Sequence, residues 1–293
     1  MVELAVMREI DPAARIAPQA KIGPYCVVGP HATIGPGTVL ARRVCVLGRT
    51  TIGSDNVFDE GCVLGAEPQD LKYQGGPTLL VIGHRNRFGR GVTAHIGTEQ
   101  GGFVTRIGDD NALMDGCHVA HDCYVDHRAR LGRSVLLAGH VRIHTGAVIE
   151  DMAGLHHFTT IGWYARVGPR TPVRRDVPPY TDFYSDAYDW SPPSVRGIHE
   201  AGLVAAGLGK PEERELRHAL RDLFEDEAAL QTKIEQLANL GAEGEVAALC
   251  DFCQRSLQGV YGRFRELYRG KAPPEAYEYL PPERRMDSRR PLT

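Results

Sequence analysis

The stretch "IDPAARIAPQAKIGPYCVVGPHATIGPGTVL", residues 10–40, places an apolar residue at every sixth position. Stepping from Ile10 reaches Ile16, Ile22, Val28, Ile34 and Leu40, then Val46, Ile52, Phe58 and Leu64 beyond it. The segment "AEPQDLKYQGGPT" (66–78) interrupts the ruler, which resumes at Ile82, Phe88 and Ala94. A second break follows at about 97–104, and from Ile107 the step runs unbroken through Leu113, Val119, Val125, Leu131, Leu137, Ile143, Ile149, Leu155, Ile161, Val167 and Val173. Gly stands directly after many of these residues, as at Gly23, Gly35, Gly53, Gly108 and Gly162, and marks tight corners. A period of six is neither the 3.6 of a helix nor the plain alternation of a strand, so each unit is a short strand closed by a turn. One such unit cannot bury its apolar residue alone, but stacked copies can.

The signature resembles the left-handed parallel β-helix family, in which three hexapeptides make one triangular coil with the apolar position pointing inward. The expected fold is therefore an all-β solenoid over residues 1–190, with coils from about 10 to 175 and the two breaks at 66–78 and 97–104 thrown out as loops. After "RRDVPPY" (174–180) the ruler stops. Leu216, Leu220 and Leu223 then fall at helical spacing, and a similar pattern in 245–268 follows the break "GAEG", which predicts a small C-terminal α-helical domain over 191–271. The Pro- and Arg-rich segment 272–293 reads as a disordered tail.

Composition removes several functional classes. The 293-residue chain has a formal net charge of −3 with dispersed Lys and Arg, apart from a short basic run at Arg284, Arg285, Arg289 and Arg290. Without a basic field, nucleic acid is not an expected partner. Glu3, Arg8, Glu9 and Asp11 interrupt the first residues, and no apolar run reaches membrane-spanning length, so no integral membrane segment and a cytoplasmic location are expected. The seven cysteines fit a reduced compartment. Cys250 and Cys253, in "CDFC", lie in a helical pattern with no neighbouring strand and read as two thiols on a helix rather than a redox pair.

The segment "MDGCHVAHDCYVD" (114–126) concentrates Cys117, His118, His121 and Cys123 with three carboxylates. Residues one coil apart stack at about 4.8 Å, so His121, Gly139 and His157 fall in one column, with His140 and His156 one position to either side of it. Three readings compete. The histidines can be a solvated ladder, they can ligate zinc, or they can serve acyl transfer. For acyl transfer His121 can be the base, Asp122 or another nearby carboxylate its orienting partner, and the Gly139 N–H an oxyanion donor.

Longer motifs narrow the choice. "HDC" after "HVA", "LAGH" at 137–140, "QDLKY" at 69–73, "TAHIGTEQGG" at 93–102, "DNALM" at 110–114 and "DVPPY" at 176–180 together resemble the family of UDP-N-acetylglucosamine acyltransferases that begin lipid A synthesis. The resemblance implies a homotrimer that takes a hydroxyacyl chain from acyl carrier protein to the 3-position of UDP-N-acetylglucosamine, with no metal and no other cofactor. It implies His121 as general base, Asp122 as its assistant and Gly139 as oxyanion donor. Gln69, Asp70, Lys72, His95, His118, His140, His156 and His157 would bind substrates. Three features depart from the family pattern: Ser185, Asp186 and Ala205 replace expected nucleotide contacts, Pro169 falls where acyl length is limited, and His157 stands where many relatives have Gln. Arg196 or His199 are candidate replacements for the lost nucleotide contacts. A non-catalytic sugar-nucleotide-binding solenoid, or an acyltransferase acting on a different amino sugar, are the alternatives.

Overall fold

In a computed structural model, which describes residues 7–185, 192–224 and 229–259, the hexapeptides wind into a left-handed parallel β-helix with three flat faces. The faces are sheets of nine, eight and ten strands, and every third strand in sequence pairs with the next in its sheet. The register repeats faithfully: His118 lies beside Leu136, Leu136 beside Gly154 and Gly154 beside Pro172 on the first sheet. Most strands are only two residues long, one pointing in and one out. The inward residues form one continuous core from Val28 to Val173, with Phe58 and Phe88 stacked at 4.5 Å inside it. Ile10, the first mark on the ruler, is 39% exposed, on a strand that among the described residues pairs on one side only, with Val27–Val28.

The corners account for the second periodicity. Two positions after the apolar residue stand Pro24, Pro36 and Pro169, and each precedes a residue of positive φ: Tyr25, Gly37 and Arg170. That is the signature of a type II turn, with Pro at its second position and φ above zero at its third. Inside the corner sits a small donor that bonds the adjacent coil's carbonyl. Cys117 Sγ donates to Gly132 O at 2.9 Å and Cys123 Sγ to Ala138 O at 3.0 Å, while Asn56 and Asn86 make the same bond with Nδ2 at 2.8 Å. Both cysteines of the 114–126 segment are thus structural rungs, fully buried, and burial pushes the Cys117 thiol up to about 11.

Both insertions leave from one corner. The first sheet's strands Val63–Ala66 and Thr93–His95 lead into loops 67–78 and 96–103, and the chain rejoins the second sheet at Leu79–Ile82 and Val104–Ile107. His121, Gly139 and His157 occupy this same corner in the three coils that follow.

At the far end Thr181–Tyr184 extends the third sheet, and Ser194–Ile198 pairs with it antiparallel, although this segment was expected among the helices. Four helices follow among the described residues: α1 (Glu200–Ala206), α2 (Lys210–Phe224), α3 (Leu230–Asn239) and α4 (Gly244–Leu257). Leu216, Leu220 and Leu223 of α2 pack with Ile234, Leu249, Cys250, Cys253 and Tyr180 in a second core. The helices meet the last coils through Tyr180, whose hydroxyl donates to Glu245 at 2.8 Å, and through Phe252 edge-on to Trp163. The 272–293 segment lies outside the described residues. No helix among the described residues is long and apolar enough to cross a membrane.

Candidate active site

His121 stands two residues beyond the strand His118–Val119 and turns the corner together with Asp122, whose φ is 61°. Its Nδ1 lies 2.8 Å from Asp122 Oδ2. A carboxylate oxygen accepts only, so Nδ1 carries the proton and Nε2 holds the lone pair. Asp122 is fully buried and its carboxylate takes two further hydrogen bonds, from Thr98 N to Oδ1 at 2.8 Å and from Thr98 Oγ1 to Oδ2 at 2.7 Å. Its own N–H donates to Thr105 Oγ1 at 2.7 Å. A Cβ on Gly101 would land on this carboxylate, so the second loop closes over Asp122 only because glycine stands there.

Gly139 lies one coil above His121. A Cβ there would be 2.5 Å from His121 Cε1 and 2.7 Å from Nε2, so glycine is what makes room for the imidazole. The Gly139 N–H bonds to no acceptor among the described residues. The corner geometry explains why: Pro24, Pro36 and Pro169 fill the equivalent position, so the coil has no use for an N–H there. An amide unused by the scaffold is available to a ligand.

The groups gather around a cleft of about 460 Å³ that opens over the first sheet beside this corner, a size suited to a small-molecule site. Gln69, His118, His121, Gly139, His156 and His157 line it, with Leu136, Leu137, Gly154, Leu155, Pro172 and Arg174. His118 Nδ1 lies 2.8 Å from Thr93 Oγ1, and burial, with His95 and His121 nearby, holds its pKa below the usual value. His95 is behind the cleft, bonded to Glu67 O at 2.7 Å, and burial lowers its pKa as well. His140 stacks on Phe158 at 4.5 Å with Nε2 3.8 Å from Asp122, a place beside the base rather than in the cleft wall. Asp70 and Lys72 are on the first loop outside the cleft, the Lys72 N–H donating to Asp70 Oδ1 at 2.9 Å. Of the candidate nucleotide contacts, His199 is buried against Tyr164 O at 2.7 Å and Arg196 lies over the Tyr184 ring. Asp186 is outside the described residues. Pro169 sits at the opposite corner of the first sheet.

His121, Asp122 and His140 are the one group among the described residues whose ligand-type atoms lie within 4.8 Å of one another. Three donors already reach the Asp122 carboxylate, so a cation bound there would compete with them.

A buried histidine–carboxylate pair and an unused amide at one corner of a parallel β-helix are the arrangement expected of a hexapeptide-repeat acyltransferase. Comparison with known proteins places it within that class. Residues 176–261 match the family model described as UDP N-acetylglucosamine O-acyltransferase, domain 2. The acyl-[acyl-carrier-protein]--UDP-N-acetylglucosamine O-acyltransferase of Synechocystis sp. is 38% identical over 73% of this chain and 75% of its own length. LpxA from Acinetobacter baumannii is 33% identical, with a TM-score of 0.78 covering 91% of this chain and 98% of that one. The Francisella novicida UDP-N-acetylglucosamine acyltransferase is 28% identical, with a TM-score of 0.78 over 86% of this chain and 89% of its own. The chain belongs to the acyl-[acyl-carrier-protein]--UDP-N-acetylglucosamine O-acyltransferase family.

Proposed function

We propose that this protein transfers a hydroxyacyl chain from acyl carrier protein to the 3-hydroxyl of UDP-N-acetylglucosamine, the first step of lipid A synthesis, with His121 as general base. The observation that carries the mechanism is the pairing of a buried His121–Asp122 dyad with the unused Gly139 amide. His121 Nε2 takes the sugar hydroxyl proton as its oxygen attacks the thioester carbonyl. The Gly139 N–H donates to the oxyanion, worth about 3 kcal/mol at such sites. Collapse expels the carrier thiolate, which recovers the proton from Nε2. Asp122 holds the Nδ1–H throughout and stabilises the imidazolium that forms.

Gln69, His118, His156 and His157 are placed to contact substrate in the cleft, and Leu136, Gly154 and Pro172 give it an apolar floor for the acyl chain. His95 and His140 support the site from behind, and Asp70 and Lys72 are available to parts of the substrate that extend past the cleft. No cofactor enters the chemistry. A homotrimer in the cytoplasm is the expected state. The test is mass spectrometry of the product formed from UDP-N-acetylglucosamine and acyl carrier proteins of several chain lengths, with His121→Ala as control. Native enzyme should yield one O-acylated sugar nucleotide, and the variant should lose at least about 2–3 orders of magnitude in turnover. Near-native turnover by the variant would sink the assignment of the base, and tight sugar-nucleotide binding without transfer would favour a binding protein.

A further inference from the structure

The two loops that leave the active corner are tied to each other by one side chain. Glu99, half-buried on the second loop, accepts the Gly76 N–H at Oε1 (2.6 Å) and the Gln74 N–H at Oε2 (3.5 Å) from the first. Neither amide has another acceptor among the described residues. A Cβ on Gly76 would collide with the Glu99 carboxylate, so the close approach depends on glycine. The neighbouring residue, Thr98, makes both loop-borne hydrogen bonds to Asp122. Adjacent residues of one loop therefore face opposite ways, Thr98 to the dyad and Glu99 to the loop that carries Gln69, Asp70 and Lys72.

We propose that Glu99 is a positioning residue that sets the first loop, and with it Gln69 at the cleft, in register with the His121–Asp122 dyad. The inference rests on the acyltransfer reading for its kinetic consequence but not for its structural one. The first loop is also attached through Glu67 O on His95 and through the partly buried Tyr73, whose ring packs on the core and whose hydroxyl donates to Gly76 O at 3.2 Å. Glu99 is what ties segment 74–76 to the second loop, through two backbone amides. Losing it should loosen substrate binding and leave the dyad, held by Thr98, intact.

The experiment compares Glu99→Ala, Glu99→Gln and Gly76→Ala in the full chain by steady-state kinetics and by hydrogen exchange of the 67–78 segment. Glu99→Ala should raise KM for the sugar nucleotide about tenfold, the size of one charge-assisted hydrogen bond, with kcat within about threefold of native. Glu99→Gln keeps one oxygen for the Gly76 N–H and should recover most of the affinity. Gly76→Ala should resemble Glu99→Ala, and combining the two should add little, because both remove the same contact. The Gly76 amide should exchange at least about tenfold faster in Glu99→Ala. A fall in kcat at constant KM, a Gln variant as impaired as Ala, or unchanged exchange would each overturn the proposal. If native protein transferred no acyl group, the acyltransfer reading would fail, and the exchange measurement would still decide the role of Glu99.

Discussion

Asp122 receives its two side-chain-directing bonds from Thr98, so the orientation of the His121 ring, the proposed base, depends on a residue in another coil. Thr98→Val keeps the shape and the backbone N–H but removes the Oγ1 donor to a buried carboxylate. The expected cost is about 1.5–3 kcal/mol in stability, and kcat should fall roughly tenfold as the His121 ring loses its fixed partner. Thr98→Ser should restore both, which thermal melts and single-turnover rates would check; a Val variant with native kcat would mean that Asp122 needs no such support. The juxtaposition of His121 and Gly139 was legible in the sequence because they are eighteen residues apart, with Asp122 next to that column. Thr98 was not, because it stands 24 residues before Asp122 inside the second insertion, where column arithmetic does not apply. Thr105, 17 residues before Asp122 on a regular strand, lies one position off the Asp122 column, but a threonine there carries no signal of its own. The metal-like spacing of the cysteines beside His121 comes from a small donor placed inside two successive corners.

Coils and helices meet around a second histidine that takes no part in the cleft. His144 bonds Asp126 at 2.9 Å, stacks on Trp163 at 4.4 Å and meets Phe252 of α4 edge-on, while Arg142 approaches the same carboxylate at 3.6 Å. Burial lowers the His144 pKa more than Asp126 raises it. The sign of the consequence is fixed: the unfolded chain protonates this imidazole near pH 6.5, the folded chain only below that, so the unfolded state binds more protons as pH falls. His95 and His118 act in the same direction. The melting temperature should therefore drop between pH 7 and pH 5.5, and His144→Gln should shrink the drop without abolishing it. A pH-independent melt over that interval would contradict the burial argument. The ruler found both insertions within a residue of where loops 67–78 and 96–103 stand, because a lost period is as visible as a kept one. The strand Ser194–Ile198 escaped it, since its pairing with Thr181–Tyr184 is antiparallel and belongs to no hexapeptide.

The three faces of the prism differ in charge, and the difference bears on assembly. Beyond Glu9 of the first coil, the outward residues of the first sheet run Val27, Cys45, Val63, Thr93, His118, Leu136, Gly154 and Pro172, with no Lys, Arg, Asp or Glu among them. The third sheet's column carries Lys21, Arg87, Arg130 and Arg166 instead. Solvent-facing strands of a solenoid are normally charged, so a column of eight successive strands without such a side chain is suited to burial against another subunit. The cleft opens on that same sheet, through Leu136, Gly154 and Pro172, and a neighbour seated there would wall it off from water. Pro169, expected at the position that limits acyl length, is at the far corner of the sheet in its own subunit and reaches a cleft only if a second copy supplies it. Light scattering should give about three times the 32.2 kDa chain mass. Val63→Glu, which puts a charge in the middle of the apolar column, should lower that mass and the activity together. Thr51→Glu, outward on the second sheet, should leave both near native values. A fully active monomer at micromolar concentration, or a Val63 variant that lost activity while keeping its mass, would show that the uncharged face has some purpose other than joining subunits.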